Sequence, residues 1–127
     1  MRVLHVYKAA MPDSCGGVET FIDLLCVGLQ PQGVSSTVLA LSRNWRGLQI
    51  YRGYTIFFVP TDVDLLSTPF SWRALPIFRD LVKEMDLIHY HFPYPFADVL
   101  HGFGSVRCPA LVTYHADIIK QKWSYRL

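Results

Sequence analysis

The sequence predicts an α/β domain: a mainly parallel sheet with helices on both faces. Three observations carry this. Short apolar runs of strand length alternate with stretches of helical period. The runs are apolar throughout, as in strands covered on both sides. The first run leads through a glycine loop straight into a helix. A length of 127 residues makes one domain, and a hydrophobic fraction of 51% is ample for its core. Charged residues make up only 17%, below the roughly 25% usual for soluble domains, and aromatics reach 14%, so some apolar surface is expected to await a partner.

Residues 3–7, Val3-Leu4-His5-Val6-Tyr7, form the first buried strand. The loop Asp13-Ser14-Cys15-Gly16-Gly17 follows, and from Gly17 the period changes. Val18, Phe21, Ile22, Leu25 and Leu29 fall at helical spacing, with Glu19, Asp23 and Gln30 between them, and Pro31 with Gly33 ends the run. Residues 34–41 are a second strand, stopped by Ser42-Arg43-Asn44. Runs 48–51 and 54–59, separated by Arg52-Gly53, read as a hairpin, which Pro60 closes. Residues 67–71 are loop and cap material before a helix over 72–84, in which Pro76 must sit in an early turn or kink the axis. A strand at 87–91, a helix at 96–103 and a strand at 110–115 complete the pattern.

The composition excludes several classes. A net charge of +2 with scattered basic residues gives no footprint for nucleic acid. Cys15, Cys26 and Cys108 have no metal-ligand spacing, and the first residues lack a signal-peptide core, which reads as a reduced, cytosolic chain. No window approaches about 18 uninterrupted apolar residues. Phe70, Trp72, Arg73, Phe78, Arg79 and Lys83 mix aromatic and basic side chains in one helical region; they either face a core or make peripheral contact with the inner face of a membrane.

In open parallel sheets, ligands sit at the carboxyl ends of the strands. Three strand ends here carry unusual chemistry. Gly16 and Gly17 allow close backbone approach, and the helix behind them offers N–H groups and partial positive charge to an anion. His89 and His91 share a face of their strand; His89, the deeper, reads as a hydrogen-bonded core residue, while His91, before the rigid Phe92-Pro93-Tyr94-Pro95 turn, reads as functional at the strand mouth. His115, followed by Asp117, is the best single candidate for direct substrate contact, since a neutral-range imidazole can donate, accept or stabilise charge. Asp117 would support it or cap the next helix, and Glu19 would orient a sugar hydroxyl or complement the helix dipole. Cys15 reads as a small loop residue rather than a nucleophile, having no catalytic partner in the loop.

Two other chemistries fit poorly. A nicotinamide site wants Gly-x-Gly-x-x-Gly and an acidic end to the second strand, where this chain has Gly16-Gly17 and Leu41-Ser42-Arg43. A metal hydrolase on His89, His91 and His115 would need convergence on one ion beside a carboxylate, which no spacing establishes.

The segment Gly16-Gly17-Val18-Glu19, the run Asp86-Leu87-Ile88-His89-Tyr90-His91-Phe92-Pro93-Tyr94-Pro95-Phe96-Ala97-Asp98 and Thr113-Tyr114-His115-Ala116-Asp117-Ile118-Ile119 together resemble the retaining glycosyltransferases of family 4, mannosyltransferase-like members in particular. The resemblance implies the two-lobed GT-B fold, with residues 1–127 as its Rossmann-like, acceptor-side N-terminal domain, truncated at its C-terminal side and lacking the donor-binding domain. It implies a nucleotide-sugar donor, a glycan or lipid-linked acceptor, and neither cofactor nor metal. Carried onto this sequence, it makes His115 the reaction-centre residue, Gly16 and Gly17 backbone contacts, and His91 and Asp117 acceptor-side or supporting groups. A chain without the second lobe is expected to be inactive alone and to self-associate through the exposed seam, unless it is a non-catalytic interaction domain or a truncated remnant that associates with another chain.

Overall fold

The computed structural model describes residues 1–65 and 68–115. Its strands, in chain order, are β1 (Arg2–Val6), β2 (Ser35–Ser42), β3 (Gly47–Tyr51), β4 (Tyr54–Pro60), β5 (Val63–Leu65), β6 (Thr68–Phe70), β7 (Leu87–Phe92) and β8 (Ala110–Tyr114). Six of them form the central sheet, in the order β3-β4-β2-β1-β7-β8. All neighbouring pairs in it are parallel except β3 with β4. That pair is the expected hairpin: Arg52 and Gly53 both have positive φ, 50° and 87°, which matches the twist of a two-residue turn.

Side-chain parity assigns the helices to faces. His5, His89 and His91 point to one side, where Phe21 of α1 (Gly17–Leu29) meets His91. Tyr90 points to the other, where its hydroxyl lies 2.7 Å from Nδ1 of His101 on a helix at Phe96–Phe103. Helix α2 (Ala74–Val82) packs beside that helix, α3, and buries Ala74, Phe78 and Val82. Pro76 stands in the first turn of α2, where its missing N–H costs nothing.

Two details depart from expectation. Within the segment expected to be loop, Thr68–Phe70 is a strand: β5 and β6 form a small antiparallel ribbon of their own. The buried stripe of α1 is also rotated. Val18, Ile22 and Cys26 are buried together with Glu19 and Asp23, whereas Phe21 is 42% exposed and Leu25 and Leu29 are half-buried. The two carboxylates decide this rotation, because each finds a hydrogen-bond partner inside: Glu19 in the glycine loop and Asp23 in Tyr54.

Candidate functional site

Strand β1 lies between β2 and β7, and the chain leaves it on one side through α1 to β2 and returns on the other as β7. This reversal is the topological switch point, and the carboxyl ends of β1 and β7 beside it are the place where ligands enter such sheets. The glycine loop rises from β1 at this point, and β8 adds His115 from the next strand along.

Gly16 is the N-cap of α1 and Gly17 its first residue, and both are exposed. Glu19 folds back to accept hydrogen bonds from the Gly16 N–H (2.9 Å) and from the Ser14 hydroxyl. This is half of a capping box, since a glycine N-cap has no side chain to return the bond. A Cβ on Gly16 would lie 2.7 Å from the Glu19 carboxylate, so the glycine is needed for this closure. Both bonds reach one oxygen, Oε2, so Glu19, 7% exposed, shapes the loop from beneath.

Behind the switch point runs a chain of imidazoles. Nδ1 of His5 lies 2.9 Å from Nε2 of His91, and Nδ1 of His91 lies 3.1 Å from Nε2 of His115. His89 stacks on His91 with ring centroids 4.1 Å apart and places its Nε2 2.6 Å from the Thr113 hydroxyl. His91 is fully buried and His5 nearly so, whereas His115 is half-buried. Burial, followed by the neighbouring imidazoles, holds His5 down to about 3 and His91 down to about 2, and lowers His89 as well. These three rings are neutral at physiological pH.

Strand register explains this assembly. His5 pairs with His89, and His91 with Thr113, so one parity carries all of them on the same face as His115. Phe21 sets its ring edge-on to His115 at 5.1 Å, and Phe21 lies one turn along α1 from Gly17. The glycine loop, His91 and His115 thus converge on one side of the sheet. Asp117 lies outside the described residues.

His91 departs from its expected position. It does not stand at the mouth: His115 covers it, and the deeper place falls to His5, which the apolar run 3–7 concealed as a sequence signal. A clue was nevertheless present, because a histidine in a strand buried on both faces requires polar partners. The aromatic and basic region around α2 divides between core and surface. Phe78 is fully buried in the core, Trp72 is 79% exposed, and the Phe70 side chain lies outside the described residues. No helix among the described residues is long and apolar enough to cross a membrane. A groove of about 810 Å³ beside α2, lined by Arg79, Lys83, Met85 and Arg107 among others, contains none of the site residues.

His5, His89 and His91, rather than His89, His91 and His115, have ring nitrogens within 4.8 Å of one another and could hold a metal. The trio includes no carboxylate, so it brings no compensating charge to a buried divalent ion. The nitrogens facing one another already serve the hydrogen-bonded chain.

Residues 15–127 match the profile of glycosyltransferase family 4. Over 123 residues, 96% of this chain, the sequence is 40% identical to O-antigen chain mannosyltransferase C of Escherichia coli, covering 33% of that protein. It is 38% identical over 123 residues to the D-rhamnosyltransferase WbpZ of Pseudomonas aeruginosa, covering 96% of this chain and 32% of that protein. The chain spans about a third of the length of these relatives.

Proposed function

From the premise that the chain belongs to glycosyltransferase family 4, we propose that it is the acceptor-side part of a retaining glycosyltransferase. The reaction transfers a sugar from a nucleotide-linked donor to a glycan or lipid-linked acceptor. The names of the relatives point to mannose or rhamnose as the sugar and to an O-antigen chain as the class of acceptor. The observation that carries this reading is the convergence of the Gly16-Gly17 helix start and His115 at the switch point of the sheet, linked through Phe21.

The glycine loop supplies backbone N–H groups and the positive end of α1 to developing negative charge on the leaving diphosphate. His115 contacts the sugar, with His91 supporting it from behind and Asp117 as a further supporting group. Glu19 keeps the loop in shape. Such electrostatic help is effective in a closed, water-poor cleft and weak in an open one, so the chain alone is inactive.

The test is a chimera in which this chain replaces the matching third of the Escherichia coli mannosyltransferase. Transfer of mannose by the chimera, lost on His115→Ala, is expected. A folded chimera that binds donor and transfers nothing would refute the reading, and turnover of a nucleotide sugar by the isolated chain would refute the inactivity. A second reading, an interaction domain that docks another chain, is favoured by one feature. Among the described residues β8 is an edge strand, and on one face it exposes Val112 and Tyr114, at 52% and 64%. Apolar surface gathered in this way marks a contact site. Light scattering decides it, a strictly monomeric chain counting against it.

A further inference from the structure

The imidazole chain admits two proton arrangements when each ring is neutral and holds one proton. In the first, the His5 Nδ1–H donates to His91 Nε2, and the His91 Nδ1–H donates to His115 Nε2. In the second, every bond is reversed. The inner end of the chain distinguishes them. Nε2 of His5 is buried and has no hydrogen-bond partner among the described residues. The first arrangement leaves a lone pair at that atom; the second leaves an N–H. An orphaned buried N–H is the rarer and costlier of the two, because a donor stripped of water loses its one interaction outright.

We propose that His5 and His91 are positioning residues that fix the tautomer of His115, directing its proton to Nδ1 and holding its Nε2 as an acceptor within the protein. In that tautomer Nδ1 of His115 is a donor and not a base. His89, stacked on His91 and bonded to Thr113, restricts the tilt of the central ring. The consequence for a sugar hydroxyl, which would accept from Nδ1, rests on the proposed glycosyltransferase function; the tautomer itself does not.

The experiment reads the tautomer directly, with no substrate present. The full 127-residue chain is labelled with 15N in its histidines, and long-range proton–nitrogen correlation at neutral pH assigns which nitrogen of each ring is protonated. Nδ1–H is expected for His5, His91 and His115. Two variants then break and restore the chain. His5→Phe keeps a ring in place but removes the donor, and the His91 and His115 signals are expected to shift toward a mixture of the two tautomers. His5→Asn places an amide N–H near the position of Nδ1 and is expected to restore the single form. Nε2–H at His115 in the unaltered chain overturns the proposal, whether or not either variant folds. So does a His5→Phe protein whose outer tautomers are unchanged. A titration with zinc ion alone that shifts His5, His89 and His91 together at stoichiometric concentration also overturns it, since their lone pairs would then serve a metal. An inactive chimera bears only on the transferase reading, and a wrong tautomer only on this one.

Discussion

His91 Nε2 lies 2.9 Å from His5 Nδ1 across the β1–β7 seam, and both rings are buried. Both imidazoles are therefore held neutral well below their ordinary value of 6.5, to about 3 for His5 and about 2 for His91. The unfolded chain takes up protons near pH 6.5 and the native chain does not, so stability is full above that pH and falls as pH drops toward the folded values. Each histidine contributes a slope of about 1.4 kcal/mol per pH unit, and the pair about 2.7 kcal/mol. Against a total stability of roughly 5–15 kcal/mol, this is enough to begin unfolding the chain at mildly acidic pH. Urea unfolding from pH 8 to pH 4 should show a plateau above about 7 and a steep decline below about 6, and His5→Phe should reduce that slope by about a third to a half, since His89 is lowered as well. Equal stability at pH 7 and pH 5 would rule out a neutral buried pair.

Glu19 holds the glycine loop through Gly16 and Ser14, so its removal should loosen the loop before it unfolds the domain. Glu19→Ala is expected to cost about 1–2 kcal/mol, as the loss of an N-terminal cap does. Glu19→Gln, which retains an acceptor but loses the charge that complements the dipole of α1, should cost less than about 1 kcal/mol. Amide exchange reads this locally: the Gly16 N–H should exchange fastest in the alanine variant and at an intermediate rate in the glutamine one. Unchanged protection in Glu19→Ala would show that the loop is held by other contacts.

The sheet and its helices are legible in the sequence because their signals are local. Strands 3–7 and 87–91 and helix 96–103 each show their period within a few residues, and the Arg52-Gly53 turn carries its own conformational demand. The ribbon at Val63–Leu65 and Thr68–Phe70 is hidden because short strands containing Asp, Thr and Pro look like loop until pairing is known. The histidines show the same limit more sharply. Position along one strand ranks His89 as deep and His91 as exposed. Burial is decided instead by the neighbouring strand β8, which brings Thr113 opposite His91 and His115 just beyond it. His5 reads as one member of an apolar run, and only register shows it facing His89.

Gly102 and Gly104, close together at the end of α3, should respond oppositely to alanine. A Cβ on Gly104 would collide with the Phe78 ring and with the Leu100 carbonyl oxygen, and the second of these is backbone that cannot move aside alone. Gly104→Ala should therefore cost about 1–3 kcal/mol through separation of α3 from α2. Gly102 has no atom within 4 Å of its Cβ position and stands within the helix. Gly102→Ala should gain about 0.5–1 kcal/mol from helix propensity and a less flexible unfolded chain. Melting temperatures of the two variants on either side of the parent would verify the contact, and a Gly104→Ala protein as stable as the parent would contradict it.

The Tyr54 hydroxyl donates to Asp23 Oδ1 at 2.7 Å, tying β4 to the middle of α1, the helix whose first turn carries the glycine loop. Asp23 is buried, and its other oxygen has Arg52 at 3.5 Å. That guanidinium is about half exposed and so a weaker partner. Burial, followed by the bond to Asp23, pushes the Tyr54 hydroxyl far above its ordinary range, so it stays protonated and remains the donor. Tyr54→Phe leaves a buried carboxylate short of one bond and should cost about 1.5–3 kcal/mol. Removing both partners should cost less than that, because no charge is then stranded. In the double variant Asp23→Leu, Tyr54→Phe, urea midpoints should accordingly recover part of the loss seen in Tyr54→Phe. A double variant that falls further than the sum of its single changes would instead show that the pair positions α1 in a way apolar packing does not replace.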